Sequence, residues 1–136
     1  LYSPLFIDVM DDYLGIIIEE SLSDKSILKE LEILDTEIHK VTKESRTPWL
    51  SVWTLHTIQV REEEMESAAK KISAALDQIR SNWYADFKNS RFHYIIFSKK
   101  IFKVDRTIKD GYKAVTQYGL TLGIPAYLLD FSQDIR

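Results

Sequence analysis

The chain predicts an α+β domain: an antiparallel sheet with two main helices packed on one face, a ferredoxin-like sandwich with extra strands. Three observations carry that expectation. Residues 81–104 hold three short aromatic and β-branched runs, Trp83–Phe87, Phe92–Phe97 and Ile101–Val104. The breaks between them, Lys88–Arg91 and Ser98–Lys100, are polar and of hairpin length, so the stretch reads as a three-strand meander. Just before it, Arg61 opens the strongest amphipathic helix of the chain, and such a stripe must be buried against another element. Before that, WLSVWTLHTIQV (49–60) is rich in Trp, Val, Thr and Ile and has no helix face, which predicts a long strand.

In chain order, residues 2–12 mix Pro4, three Asp and five apolar side chains, and are expected as a docked arm or a short helix. YLGIIIEESL (13–22) concentrates apolar residues at 14–18, which predicts a buried strand near 14–20. Glu19 and Glu20 mark where it meets solvent. Ser23-Asp24 is a helix start signal, because either side chain can accept from a backbone N–H of the first turn. A short helix over 24–30 and a strand over 32–41 are expected. One continuous helix over 24–42 is the rival, since Ile27, Leu31, Leu34, Ile38 and Val41 also fall on one helical face. A polar loop leads to Pro48, and the strand 51–60 follows.

The next helix is expected over 62–80. Glu62, Glu63, Glu64 and Glu66 fill its first turns, where the macrodipole favours negative charge. Met65, Ala68, Ala69, Ile72, Ala75, Leu76 and Ile79 form its inward stripe. Strands near 83–88, 92–98 and 101–104 come next. The run 92–97 is apolar on both faces, so it is expected to be interior to the sheet. A second helix over about 107–119 would face Ile108, Tyr112, Val115 and Tyr118 inward, with Gly119 as its C-cap. Tyr127, Leu128, Leu129 and Phe131 form an apolar tail that docks on the core.

Length bounds the rest. At 136 residues the chain suits one domain, 1–136, with no repeat or low-complexity linker to divide it. It has no cysteine, which excludes disulfides, thiolate metal sites and cysteine nucleophiles and fits a cytoplasmic setting. The longest apolar run, 14–18, is far short of the ~20 residues that span a bilayer. No charged n-region, h-region and cleavage site opens the chain, so neither a signal peptide nor a membrane partner is expected. The net charge of −3 conceals an asymmetry: residues 1–66 carry six basic and fifteen acidic side chains, residues 67–136 twelve and six. The halves either interleave their charges on folding or present a basic face to an acidic partner.

Candidate chemistry is sparse. His39, His56 and His93 are the only imidazoles. His56 and His93 fall on expected strands, and with Asp86 and Glu20 they could surround an acid–base or metal site, though the spacing lacks the tight i, i+4 form of helix-borne metal ligands. Glu19, Glu20 and Asp24 form a second carboxylate group, but adjacent strand residues point to opposite faces. No glycine pair has phosphate-loop spacing, and Ser21, Ser51 and Ser132 lack the glycines of a nucleophile elbow. No metal and no cofactor is expected. The most distinctive surface is the basic meander, with eight Lys and Arg between residues 86 and 113. Tyr84, Lys88, Arg91, Tyr94 and Lys103 are its candidate ligand-binding residues, since aromatics flanked by cations can stack single-stranded bases. Hairpin lysines also guard sheet edges, and strand aromatics also fill cores.

The segments TPWLSVWTLHTIQV, WYADFKNSRFHYIIFSKKIFKV and YGLTLGIP with LLDF resemble a family of small, uncharacterised prokaryotic α+β proteins. The resemblance spans most of the chain after Tyr13. It implies a small cytoplasmic domain and transfers no catalytic residue. The functional expectation is a non-catalytic binding or interaction module that forms a homodimer. Single-stranded nucleic-acid binding through 84–113, and a small enzyme or metal site at His56 and His93, are the alternatives.

Overall fold

The computed structural model describes residues 11–79 and 82–131. Most of the arm expected at 2–12 lies outside these residues, as do Arg80, Ser81 and Ser132. Six strands form: β1 (Tyr13–Ile18), β2 (Glu32–Lys40), β3 (Val52–Val60), β4 (Tyr84–Lys88), β5 (Phe92–Phe97) and β6 (Lys100–Asp105). Two α-helices join them, α1 (Met65–Ala75) and α2 (Lys113–Thr121). The sheet is open, with order β2-β3-β1-β4-β5-β6 and antiparallel pairing throughout. β4, β5 and β6 are the meander expected from their sequence. β3, α1 and β4 make a crossover that leaves β1 between its two strands.

Register sorts the side chains into two faces. Gly15 lies opposite both Ile58 and Phe87, and Phe87 opposite Tyr94. That face packs Tyr13, Ile17, Ile58, Val60, Ala85, Phe87, Tyr94 and Ile96 against Met65, Ala69, Ile72 and Ala75 of α1. On the other face Ile95, Phe97 and Val104 pack against Val115 of α2 and against Ile124, Leu129 and Phe131. The two helices therefore cover opposite faces, not one. The difference follows from β5, whose two apolar faces each need a cover. Its interior placement is as expected, and Leu128, Leu129 and Phe131 of the apolar tail dock as expected, while Tyr127 stays exposed.

Local departures from the sequence reading have identifiable causes. Residues 32–40 are strand, which rules out the continuous 24–42 helix. Residues Lys25–Glu30 form a 3₁₀ turn, with Asp24 as N-cap accepting from the Ser26 N–H at 3.0 Å. β1 stops at Ile18, where residues 19–21 turn. Helix α1 ends at Ala75, well before residue 80. Ser23 and Asp24 donate to the Ala75 carbonyl, Asp77 donates to that of Ser21, and Leu22 bridges Leu76. The capping partner thus lies some fifty residues upstream, and Ile79 is left in solvent rather than in the stripe. Buried Ser73 fixes α1 to the β5–β6 hairpin: its hydroxyl donates to the Phe97 carbonyl at 2.5 Å and accepts from the Lys99 N–H at 2.9 Å.

Helix α2 begins at Lys113 rather than 107. Asp105 accepts from the Thr107 N–H and hydroxyl, and Asp110 adopts a left-handed backbone, so the chain turns twice before it coils. Ile108 is consequently exposed. Gly119 is not the C-cap. It lies inside α2 because a Cβ there would sit 2.6 Å from Leu129, while Gly123 at φ +86° makes the left-handed stop. Gly15 has a similar role: a Cβ would meet the Asp86 carbonyl at 2.2 Å and the Phe87 ring at 2.4 Å.

Candidate functional site

The two face-separated layers decide where the histidines go. His56 alternates with Ile58 on the α1 face, and His93 alternates with Ile95 on the α2 face. They cannot share one metal or one proton-transfer step, so the expected His56–His93–Asp86–Glu20 constellation does not assemble. Its halves do. Among the described residues, no group of three or more His, Asp and Glu is placed to hold a metal ion.

His93 is 0% exposed. Its Nε2 lies 2.8 Å from Asp86 Oδ2 and its Nδ1 2.9 Å from the Tyr112 hydroxyl. A carboxylate only accepts, so Nε2 donates to Asp86, and in the neutral ring Nδ1 accepts from the Tyr112 O–H. The ring stands edge-on to Tyr112 and Phe131, which stack on one another at 18°. Burial raises the Tyr112 pKa, and the Arg106 guanidinium beside it opposes that shift. Lys88, buried, sits opposite His93 in the β4–β5 ladder and lines a cleft of about 400 Å³ with Arg106, Asp12, Thr57 and Ser90. Asp86, His93 and Tyr112 do not line that cleft. The Asp–His–Tyr array has the groups of a proton relay, yet its atoms are spent on one another. It pins the segment before α2 to the sheet.

His56 repeats the pattern on the other face. Its Nε2 donates to Glu19 Oε1 at 2.8 Å and its Nδ1 accepts from the Thr36 hydroxyl at 2.8 Å. Glu20 turns to the sheet end instead, where its two oxygens accept from the Thr54 N–H at 2.7 Å and hydroxyl at 2.8 Å. The carboxylate replaces the strand partner that β1 no longer supplies. Asp24 is a cap, and the Ser26 side chain and backbone that donate to it hold its pKa low.

The basic aromatic stretch folds inward. Tyr94 is buried under Lys103, whose Nζ lies 4.2 Å from the Phe92 centroid and 5.7 Å from that of Tyr94. Tyr84 packs on Phe97 and Phe131, and its hydroxyl donates to the Leu128 carbonyl. Arg91 pairs with Asp105 at 3.2 Å and covers Phe92. Lys88 is buried. Lys103 and Arg91 lie over rings of their own chain, Arg91 also beside a carboxylate, and Tyr84 and Tyr94 are not laid open as a stacking surface.

A third arrangement escaped sequence reading. All three tryptophans line one cleft of about 320 Å³ between residues 45–53, 82–84 and 123–128. Their number was visible in the sequence; the topology that gathers them was not. The comparisons with known proteins add no template. No family model, no curated protein and no solved structure matches the chain.

One further surface stands out. β2 and β6 are the two edges of the sheet, and every one of the nine residues of β2 is exposed. Leu34 is 49% and Ile38 69% exposed. A bulge between Ile33 and Asp35 kinks the first part of the strand, leaving 35–40 in regular register with β3. No helix among the described residues is long and apolar enough to cross a membrane.

Proposed function

We propose that this chain is a non-catalytic binding module that works as a homodimer, joined edge to edge through β2. The observation that carries the reading is the self-complementarity of that edge about Ile38. A two-fold antiparallel pair centred there sets Ile38 against Ile38 of a second copy and Glu37 against His39. Thr36 then faces Lys40, and Asp35 faces Val41. No like charges meet. Centring on Thr36 would instead set Asp35 against Glu37, and centring on Glu37 would set that residue against itself, both unfavourable. The bulge at Leu34 limits pairing to the segment after it.

The β3–α1–β4 crossover around β1 supports a ferredoxin-like element at the centre of the fold. On this reading β2 and the β5–β6–α2 part are additions to it. Membership of the small prokaryotic α+β family rests on the resembling segments. A cytoplasmic, cofactor-free domain fits the cysteine-free sequence and the internal pairing of its histidines.

Sedimentation equilibrium tests the dimer. The wild-type chain is expected to sediment as a concentration-dependent dimer. Ile38→Lys is expected to sediment as a monomer with unchanged far-UV circular dichroism, because an exposed edge charge blocks strand pairing without touching the core. A wild-type chain that stays monomeric at millimolar concentration, or a variant that still dimerises, overturns the reading.

A further inference from the structure

The tryptophan cleft brings three indoles to one opening. Trp53 stands edge-on to Trp83, centroids 5.6 Å apart at 62°, and its Nε1–H donates to the buried Thr47 hydroxyl at 2.9 Å. Two aromatic walls are thereby fixed before any ligand arrives. Trp49 stands at the rim, 41% exposed. The turns on either side are tied together where the Tyr127 hydroxyl donates to the Glu44 carbonyl at 2.8 Å. Asn82 donates its amide N–H to the Leu122 carbonyl, which holds the third side.

One charge lines this cleft. Among the described residues that line it, Arg46 is the sole cation and none is a carboxylate. Three other arginines are engaged: Arg61 with Glu63, Arg91 with Asp105, and Arg106 with the Asn89 carbonyl. Among the described residues, Arg46 makes no ion pair. Its backbone is left-handed, φ 63° and ψ 27°, closing the turn at 43–45 by donating to the Lys43 carbonyl at 3.2 Å. That conformation favours Gly or Asn, and Lys99 and Asp110 adopt it as well. A cleft of this size takes a one- or two-ring molecule, aromatic walls favour a planar one, and a lone guanidinium favours a carboxylate.

We propose that the cleft binds a small planar aromatic acid, with its ring system against the tryptophans and its carboxylate on Arg46. This site is separate from the β2 edge and does not depend on it.

Calorimetric titration of the full chain tests the assignment, using 2-naphthoate and its neutral analogue 2-naphthamide as probes. Because every tryptophan lines the cleft, intrinsic fluorescence reports occupancy directly. Saturable naphthoate binding is expected, about tenfold tighter than that of the amide, the difference expected of one charge-assisted contact. Arg46→Gln, at an exposed position, is expected to erase that difference and leave amide binding unchanged. Trp49→Ala is expected to weaken both, and Ile38→Lys neither. Absence of binding at millimolar probe, equal binding of the two probes to the wild type, or a preference that survives Arg46→Gln overturns the proposal.

Discussion

β5 and β2 are both rich in β-formers, yet they live in opposite environments. β5 has a helix or a docked tail over each face and neighbours on both sides, and only Phe92 at its start is more than slightly accessible. Among the described residues β2 has one neighbour and no cover, and all nine of its residues reach solvent. The difference lies in charge. FHYIIF has no Asp, Glu, Lys or Arg, whereas EILDTEIHK has four. Charges at an edge keep a strand in water and discourage indiscriminate pairing. What charge alone does not explain is Ile38, an apolar residue held in solvent at the centre of the regular part of β2. In the covered half, apolar side chains are buried and each is worth about 1.5–3 kcal/mol there. In the bare half Ile38 is 69% exposed among the described residues, and the proposed second copy would cover it.

The contrast can be broken most strongly at Gly15, where the covered half is tightest. Gly15→Ala forces a methyl into the Asp86 carbonyl and the Phe87 ring, and is expected to cost about 3 kcal/mol, at the top of the overpacking range. Urea unfolding measures it. A loss below about 1 kcal/mol would mean that β1 and β4 are not so close.

The two histidines give a middle-sized comparison, since each bridges a carboxylate and a hydroxyl. His93→Leu removes a fully buried imidazole and leaves the half-buried Asp86 and Tyr112 without the partner they share, so roughly 2 kcal/mol is expected to be lost. His56→Leu leaves Glu19 and the exposed Thr36 free to find water, so its loss is expected to be the smaller. Equal losses would show that the wing is as closed as the centre.

A gentler effect appears in alkali. Burial pushes Tyr13 up to about 12 and raises Tyr84 as well. A tyrosine whose folded pKa lies above the ~10 of the unfolded chain favours folding in its protonated form. Its stabilisation is full below pH ~10 and is lost as pH rises towards 12. The melting temperature is therefore expected to hold up to pH ~10 and fall beyond it. Tyr13→Phe should flatten that fall, and a Tyr13→Phe curve that parallels the wild type would contradict it.

Much of the fold was legible because it is written locally. The hairpin breaks at 88–91 and 98–100, the alternation of Trp83, Ala85 and Phe87, and the two apolar faces of 92–97 each need only neighbouring residues. Helix ends were less legible. Ala75 is capped by Ser23 and Asp24, and Gly119 is required by Leu129. The placement of α2 on the second face depended on reading the Phe92–Phe97 alternation through to its consequence. For the site, His93 with Asp86 could be paired from strand register, but Tyr112 and Arg106 arrive from the connection that follows β6. The tryptophan cleft joins residues 46, 53 and 83, and no local pattern connects those.

Disulfide trapping along β2 tests the central proposal most directly, because the natural chain has no cysteine to interfere. Single cysteines placed in turn at 35 to 41 report which residue faces its own copy across a two-fold axis. Directly opposed strand residues have Cα atoms about 4.5–5.5 Å apart, within disulfide reach. The account predicts that Ile38→Cys oxidises to a covalent dimer far faster than Thr36→Cys or Lys40→Cys. Uniformly slow oxidation along the strand, or fastest linkage at another position, would contradict it.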